Sequence, residues 1–304
     1  MQKNVRQVVL PVLAAAIWGS AFVFQNMVAD SIGPFTFNAA RSAVAAVFLL
    51  LLYWALQRRR REKQPRGKLV LGCLTCGLAL CLATNLQQVG IADTTAGKAG
   101  FITAMYMVLV PVFGLLLRKR VRPIVWCSVA LAAVGLYFLS IQDGFSLAKG
   151  DFYMMLCAIV FAVHILLLDH FTRFVDSVAL SCGQFAVTAA ISAVLALCAE
   201  QNCWSSIWAS IWPILYVGIF SSGVAYTLQI VAIKGSNPAV VSLLLSLESV
   251  FAVLSGALIL HERLSARELM GCGLIFAAVI LTQLPQRRKK TAPLAAGESG
   301  KQNE

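Results

Sequence analysis

Ten long apolar runs dominate this chain, at about residues 8–29, 34–57, 69–90, 96–117, 124–141, 152–168, 177–199, 211–233, 239–260 and 269–284. A helix rises about 1.5 Å per residue, so about twenty such residues cross a hydrocarbon core of about 30 Å. Most of the runs meet that length; the sixth and tenth are marginal at one end. None alternates apolar and polar residues over about ten positions, as the strands of a membrane barrel do. At 59% hydrophobic and 12% charged, the chain lies far from soluble domains, which are about 25% charged. The fold class expected is an all-α integral membrane protein with ten transmembrane helices. The first run exceeds the core of a cleaved signal and leads directly into further spans, so it is read as a helix of the mature protein.

The net charge of +12 raises the question of a nucleic-acid partner, and its distribution answers it. Lys and Arg cluster at Arg58–Arg61 with Lys63, Arg66 and Lys68, at Arg118–Arg120 with Arg122, and at Arg287–Lys290. Each cluster abuts an apolar run, as in cytoplasmic loops, and no basic stripe alternates with base-stacking aromatics. With the N-terminus inside and ten crossings, twenty Lys and Arg fall in inside segments and four outside. That asymmetry puts both termini in the cytoplasm, and an odd number of crossings would move one terminal cluster outside. The polar tail at 285–304 is read as a disordered basic cytoplasmic segment. The location expected is a cell membrane, crossed many times, of the bacterial inner or plasma membrane type.

Ten helices divide into five and five, at 8–141 and 152–284. Pro111-Val112-Phe113-Gly114 resembles Ser249-Val250-Phe251-Ala252, and each is followed by charge and then a small-residue-rich helix. Because five is odd, the second unit enters from the opposite side, giving two inverted five-helix repeats. Such repeats commonly hold a substrate site near the bilayer midplane.

Single residues narrow the chemistry. Glu248 lies mid-way along the ninth run, where an ionised group is costly and usually functional; it could hold a proton, a coupling cation or a substrate amine. The alternative is a protonated carboxyl bonded between helices. On the same helix Ser242, Ser246, Ser249 and Gly256 form a small, weakly polar seam suited to close packing. Arg41 lies seven residues after Pro34, roughly 10 Å along its helix. It could clamp a carboxylate or phosphate, snorkel to headgroups, or pair with an acidic side chain. His164, near Asp169 and His170, is either a proton relay or a packed histidine. Trp18 is a cavity wall or a packing residue. Asn85, Gln87 and Gln88, with Gln184, Tyr226 and Gln229, are further lining candidates or interhelical hydrogen-bonding groups.

Other chemistries find little support. Cys73-x-x-Cys76 lacks the second pair of a zinc site, and His261-Glu262 begins HExxH without its second His. There is no GxSxG elbow and no Walker-type loop. The expectation is therefore no enzyme, no cofactor and no metal. Expected partners are a small-molecule substrate, the proton as coupling candidate, the lipid bilayer and, as a candidate, a second copy of the chain; nucleic acid is not among them.

Ile17-Trp18-Gly19-Ser20-Ala21-Phe22, Pro34-Phe35 with Arg41, and the run from Ser236 through Leu247-Glu248-Ser249-Val250-Phe251 to Glu262-Arg263-Leu264-Ser265 and Gly271 resemble EamA-type members of the drug/metabolite transporter superfamily. The resemblance covers about residues 8–284. It implies a ten-helix carrier with two inverted repeats and a central cavity, moving amino acids, other metabolites or drugs. Ser249 departs from the pattern, standing where the family usually has Pro, while Pro111 keeps the proline in the first repeat. Lys119 stands where the first repeat could carry an acidic counterpart of Glu262. The function expected is secondary active transport, in or out, of a small organic metabolite such as an amino acid, amine or drug-like solute, by alternating access. A membrane-embedded enzyme or a channel is the alternative.

Overall fold

The computed structural model describes residues 2–57, 65–94, 96–119, 121–140, 149–201, 204–259 and 264–284. His261, Glu262, Arg263, Cys203, the clusters at 58–61 and 287–290 and the tail therefore lie outside the described residues. Among those described there is no strand. The helices are α1 Gln2–Met27, α2 Pro34–Gln57, α3 Arg66–Ile91, α4 Gly97–Leu116, α5 Pro123–Ser140, α6 Lys149–Phe171, α7 Ser177–Ala199, α8 Ile211–Ile233, α9 Pro238–Ile259 and α10 Ala266–Gln283. A short helix, Trp204–Ala209, precedes α8. Nine of the described helices are long and apolar enough to cross a membrane, and α5 is a shorter apolar helix.

The sixth helix is longer than its apolar run. Lys149 to Asp151 extend it at one end and Asp169 to Phe171 at the other. These charges hide the two ends of the helix from a reading of hydropathy alone, yet they are paired in the fold. Asp151 has no solvent exposure and accepts from Lys98 at 2.6 Å; Asp169 pairs with Lys119 and, at 2.9 Å, with Arg173. Lys119 thus serves as a cation linking the end of α4 to α6.

Helix ends follow from local chemistry. Asp176 accepts from the amides of Val178 and Ala179 at 2.9 and 3.0 Å, starting α7. Asn237 caps α9 through the Ala239 amide, with Pro238 already holding helical φ. Ser265 and Glu268 form a reciprocal capping box at α10.

Packing interleaves the two halves. α1 lies against α9, α2 against α7, α3 against both α6 and α7, and α5 against α10; α8 contacts α1 and α2, and α4 contacts α6. Exchanging each helix of the first five for its counterpart in the last five returns the same set of pairs. The crossings are close. At Gly19 on α1, a Cβ would fall 2.4 Å from the Phe251 Cβ and 2.6 Å from the Ala252 nitrogen. That approach explains the glycine of the Trp18-Gly19 pair better than any backbone need.

α9 is the most enclosed of the spans, with 78% of its apolar window buried, against 22% for α2 and 28% for α7. The outer helices instead expose large apolar side chains, among them Leu50, Leu51, Leu71 and Leu197. In water such a surface would drive association; in lipid it is the solvated face. The chain is a multi-pass membrane protein.

Candidate functional site

Two helices break at the middle of the bundle. α9 divides at Ser246 into Pro238–Leu245 and Leu247–Ile259. Ser242 and Ser246 turn their hydroxyls back onto the carbonyls of Ala239 and Leu243, at 3.1 and 2.7 Å, an arrangement that bends helices. The Ser249 amide then bonds the Ser246 carbonyl at 3.2 Å, closing a tight turn. A proline is not required for this break. α4 divides likewise at Met105, where the Met105 and Val108 amides both bond carbonyls three residues back. Glu248 and Tyr106 sit immediately beyond the two breaks, and the Tyr106 hydroxyl lies beside the Glu248 carboxyl.

A third distortion lies on α8, which is a π-helix over Val217–Ala225. The Tyr226 amide reaches back five residues to the Ser221 carbonyl, and the Trp18 indole donates to the same oxygen at 3.3 Å. π segments occur often at functional sites. Here one fixes Trp18, whose ring meets Tyr226 edge-on at 4.8 Å between centroids. Gly218 lets the segment close on α2, since a Cβ there would fall 2.9 Å from the Arg41 carbonyl.

These distortions surround a cavity. Trp18, Phe22, Tyr106, Phe161 and Tyr226 give it aromatic walls; Gln25, Gln87, Thr103 and Gln229 supply neutral polar groups; Arg41 and Glu248 supply charge. Arg41 and Glu248 are each 3% exposed, and each keeps one polar atom without a partner, Nη2 and Oε1 respectively. They are not joined: the ion pairs among the described residues are Lys98–Asp151, Lys119–Asp169 and Arg173–Asp169. Arg41 does not snorkel. Its Nε donates to Asn38 at 2.6 Å, and its guanidinium lies 5.7 Å from the Phe37 ring centroid.

Of the residues singled out in the sequence, Trp18, Arg41, Gln87, Tyr226, Gln229 and Glu248 line this cavity. The others stand behind it. His164 is fully buried and bonded through Nε2 to Gln184 Oε1 at 3.0 Å, while His164 Nδ1 and Gln184 Nε2 have no partner. Asn85 bonds Asn38 and Ser192, and Gln88 donates to the Gln25 carbonyl at 3.4 Å. Sequence reading did not single out Gln25, Thr103, Tyr106 or Ser221. Cys73 and Cys76 are free thiols, as is the exposed Cys198. Among the described residues no group of three His, Cys, Asp or Glu could hold a metal.

This arrangement can be set beside known proteins. A solved structure aligns with a TM-score of 0.75, 17% identity and coverage of 91% of this chain and 96% of its own, a likeness of fold. An uncharacterized transporter of Archaeoglobus fulgidus is 33% identical, over 90% of this chain and 84% of that protein. The uncharacterized inner membrane transporter YedA of Escherichia coli is 24% identical, over 92% and 91%. The model of the EamA-like transporter family matches twice, at residues 6–141 and 148–284. The chain therefore belongs to the EamA-like transporter family.

Proposed function

We propose that this chain is a secondary active transporter that carries a small organic solute bearing both an acidic and a basic group. One observation carries the reading: Arg41 and Glu248 lie buried in one cavity, unpaired with each other, each with an unpartnered polar atom. Buried charges are normally paired, so a site holding two opposite ones apart suits a ligand that completes both. Arg41 offers the fork that a carboxylate accepts, and Glu248 offers an acceptor to an ammonium group. Trp18, Tyr106 and Tyr226 supply ring faces of the kind that attract cations.

Glu248 also has a second use in this scheme, as the group that takes up a proton when the solute leaves. Ten crossings, both termini in the cytoplasm and two inverted repeats complete the proposal, the repeats rocking about the cavity to open each side in turn. The membrane is a plasma or bacterial inner membrane. Helix breaks beside the cavity and the exchangeable packing of the two halves support alternating access.

Reconstitution into liposomes tests the reading. Radiolabelled amino acids, amines and carboxylic acids are offered under an imposed pH gradient. Saturable, gradient-driven movement of a solute carrying both groups is expected. Currents far above carrier turnover would instead identify a channel, and release of a chemically altered product would identify an enzyme.

A further inference from the structure

The guanidinium that faces the cavity is held from behind by a chain of side-chain amides. Arg41 Nε donates to Asn38 Oδ1 at 2.6 Å, one turn earlier on α2. Asn38 Nδ2 donates to the Thr84 carbonyl and to Asn85 Oδ1, both at 2.9 Å. Asn85 Nδ2 in turn donates to the Cys81 carbonyl at 2.8 Å and to Ser192 Oγ at 2.9 Å. The chain runs from α7 in the second half, through α3, to α2 in the first.

Its direction is fixed. The two ends of an asparagine amide have nearly the same shape, so its orientation is decided by the surrounding donors and acceptors. The carbonyls of Cys81 and Thr84 accept only, and each claims an amide nitrogen. Asn85 must therefore point its oxygen at Asn38, and Asn38 must point its oxygen at Arg41. Asn38, Ser192 and Asn85 are buried, at 0%, 0% and 5% exposure. None of the three lines the cavity, whereas Arg41 does. Because Nε is the anchored atom, the plane of the guanidinium is set while Nη2 stays free.

We infer that Asn38, Asn85 and Ser192 are positioning residues that orient Arg41 for the carboxylate of the solute. The inference rests on the transporter reading given above. It assigns the relay to one end of the solute, so its disruption weakens recognition of the carboxylate and spares that of the amine. A network that only glued helices together would weaken both alike.

The test uses the full chain in lipid nanodiscs with ¹⁵N-labelled arginine. Arg41→Lys assigns the Arg41 Nε–Hε line. Asn85→Leu and Ser192→Ala, neither of which touches Arg41, should each move that line and leave the other arginine lines in place. Ser192→Thr, which keeps the hydroxyl, should restore it. In parallel, benzoate, benzylamine and L-phenylalanine serve as probes in thermal-stabilisation titrations. Asn85→Leu should raise half-saturation for benzoate and phenylalanine about tenfold, the scale of a weakened hydrogen bond to a charged group, and leave benzylamine unchanged. An Arg41 line that stays put in both variants overturns the relay. Equal weakening of benzoate and benzylamine overturns its positioning role. Should wild type bind none of the probes, the solute reading fails and the inference with it, while the arginine lines still show whether the amides hold Arg41.

Discussion

The Tyr106 hydroxyl lies beside the Glu248 carboxyl, and each residue stands just past a break in its own helix. One break is at Met105 in the fourth helix of the first half, the other at Ser246 in the fourth helix of the second half. An interrupted helix near the midplane can aim a side chain into a cavity where an unbroken one packs it against a neighbour. The carboxyl and the phenol face one cavity, which both breaks border.

Glu248→Gln keeps the shape of the side chain and removes its ability to change charge. Gradient-driven flux should fall at least about tenfold, on the view that an intramembrane carboxyl is functional by default. Exchange of solute without a gradient should persist at a raised half-saturation, because Gln still offers the ammonium group an acceptor but no charge, and expression and thermal stability should stay near wild type. Flux assays in liposomes under an imposed pH gradient decide this, and unchanged driven flux would remove Glu248 from coupling.

Tyr106→Phe deletes the hydroxyl beside Glu248 and nothing else. Loss of one neutral hydrogen-bonding group is worth about 1 kcal/mol, so half-saturation should rise roughly fivefold while maximal flux holds. Concentration series of initial rates separate the two quantities.

Gly19→Val places new carbon atoms against Phe251 and the Ala252 backbone. Overpacking of this kind costs about 1–3 kcal/mol. The expected result is a clear drop in the thermal midpoint of the detergent-solubilised protein and reduced flux per molecule, because the α1–α9 crossing carries both Trp18 and Glu248. A variant as stable as wild type would show that this crossing can open freely.

Lys98→Met removes the cation that pairs with Asp151, which has no exposure. A buried carboxylate deprived of its cation is costly, so stability should fall. Lys98→Arg should preserve most of it, and Asp151→Asn added to Lys98→Met should restore part. Thermal midpoints of Lys98→Met, Asp151→Asn and the double variant close the cycle that reads the coupling between the two residues.

Ser265→Ala removes the hydroxyl that begins α10 and should cost about 1 kcal/mol. The capping box lies away from the cavity, so flux per folded molecule should not change. Parallel stability and transport measurements separate the two effects.

Much of the architecture was legible before any coordinates. Apolar length marks the spans, since a bilayer imposes a fixed requirement on every helix that crosses it. The ends of the sixth helix are the exception, because Asp151 and Asp169 lie beyond its apolar run until their partners, Lys98 and Lys119, are brought from distant sequence. The site was legible where chemistry is rare in a membrane. Glu248, Arg41 and Trp18 stand out in apolar surroundings, and all three line the cavity. Tyr106 did not stand out, because a tyrosine in an apolar run reads as packing, and only the break at Met105 aims it inward. Ser221 contributes a backbone carbonyl, which no side-chain pattern reveals. Asn38 escaped notice for a different reason: its role lies in which way its amide faces, and that is fixed by Thr84 and Asn85, 46 and 47 residues away.

The π segment of α8 carries a consequence for how the cavity is written into the chain. Within Val217–Ala225 the backbone pairs five residues back rather than four, so the helix has absorbed surplus residues without lengthening a loop. Each residue in an α-helix turns the face by about 100°. Deleting one residue from this stretch would let it settle into ordinary α geometry with every cap and crossing still available. The wider π turns advance each residue by less than an α-helix does, so Tyr226 and Gln229 would keep nearly their present places on the cavity wall. What a single-codon deletion at 217–225 would take away is the spare reach of the Ser221 carbonyl, which ordinary four-residue pairing would claim from the Trp18 indole, so the surplus residue serves to hold a ring on a neighbouring helix.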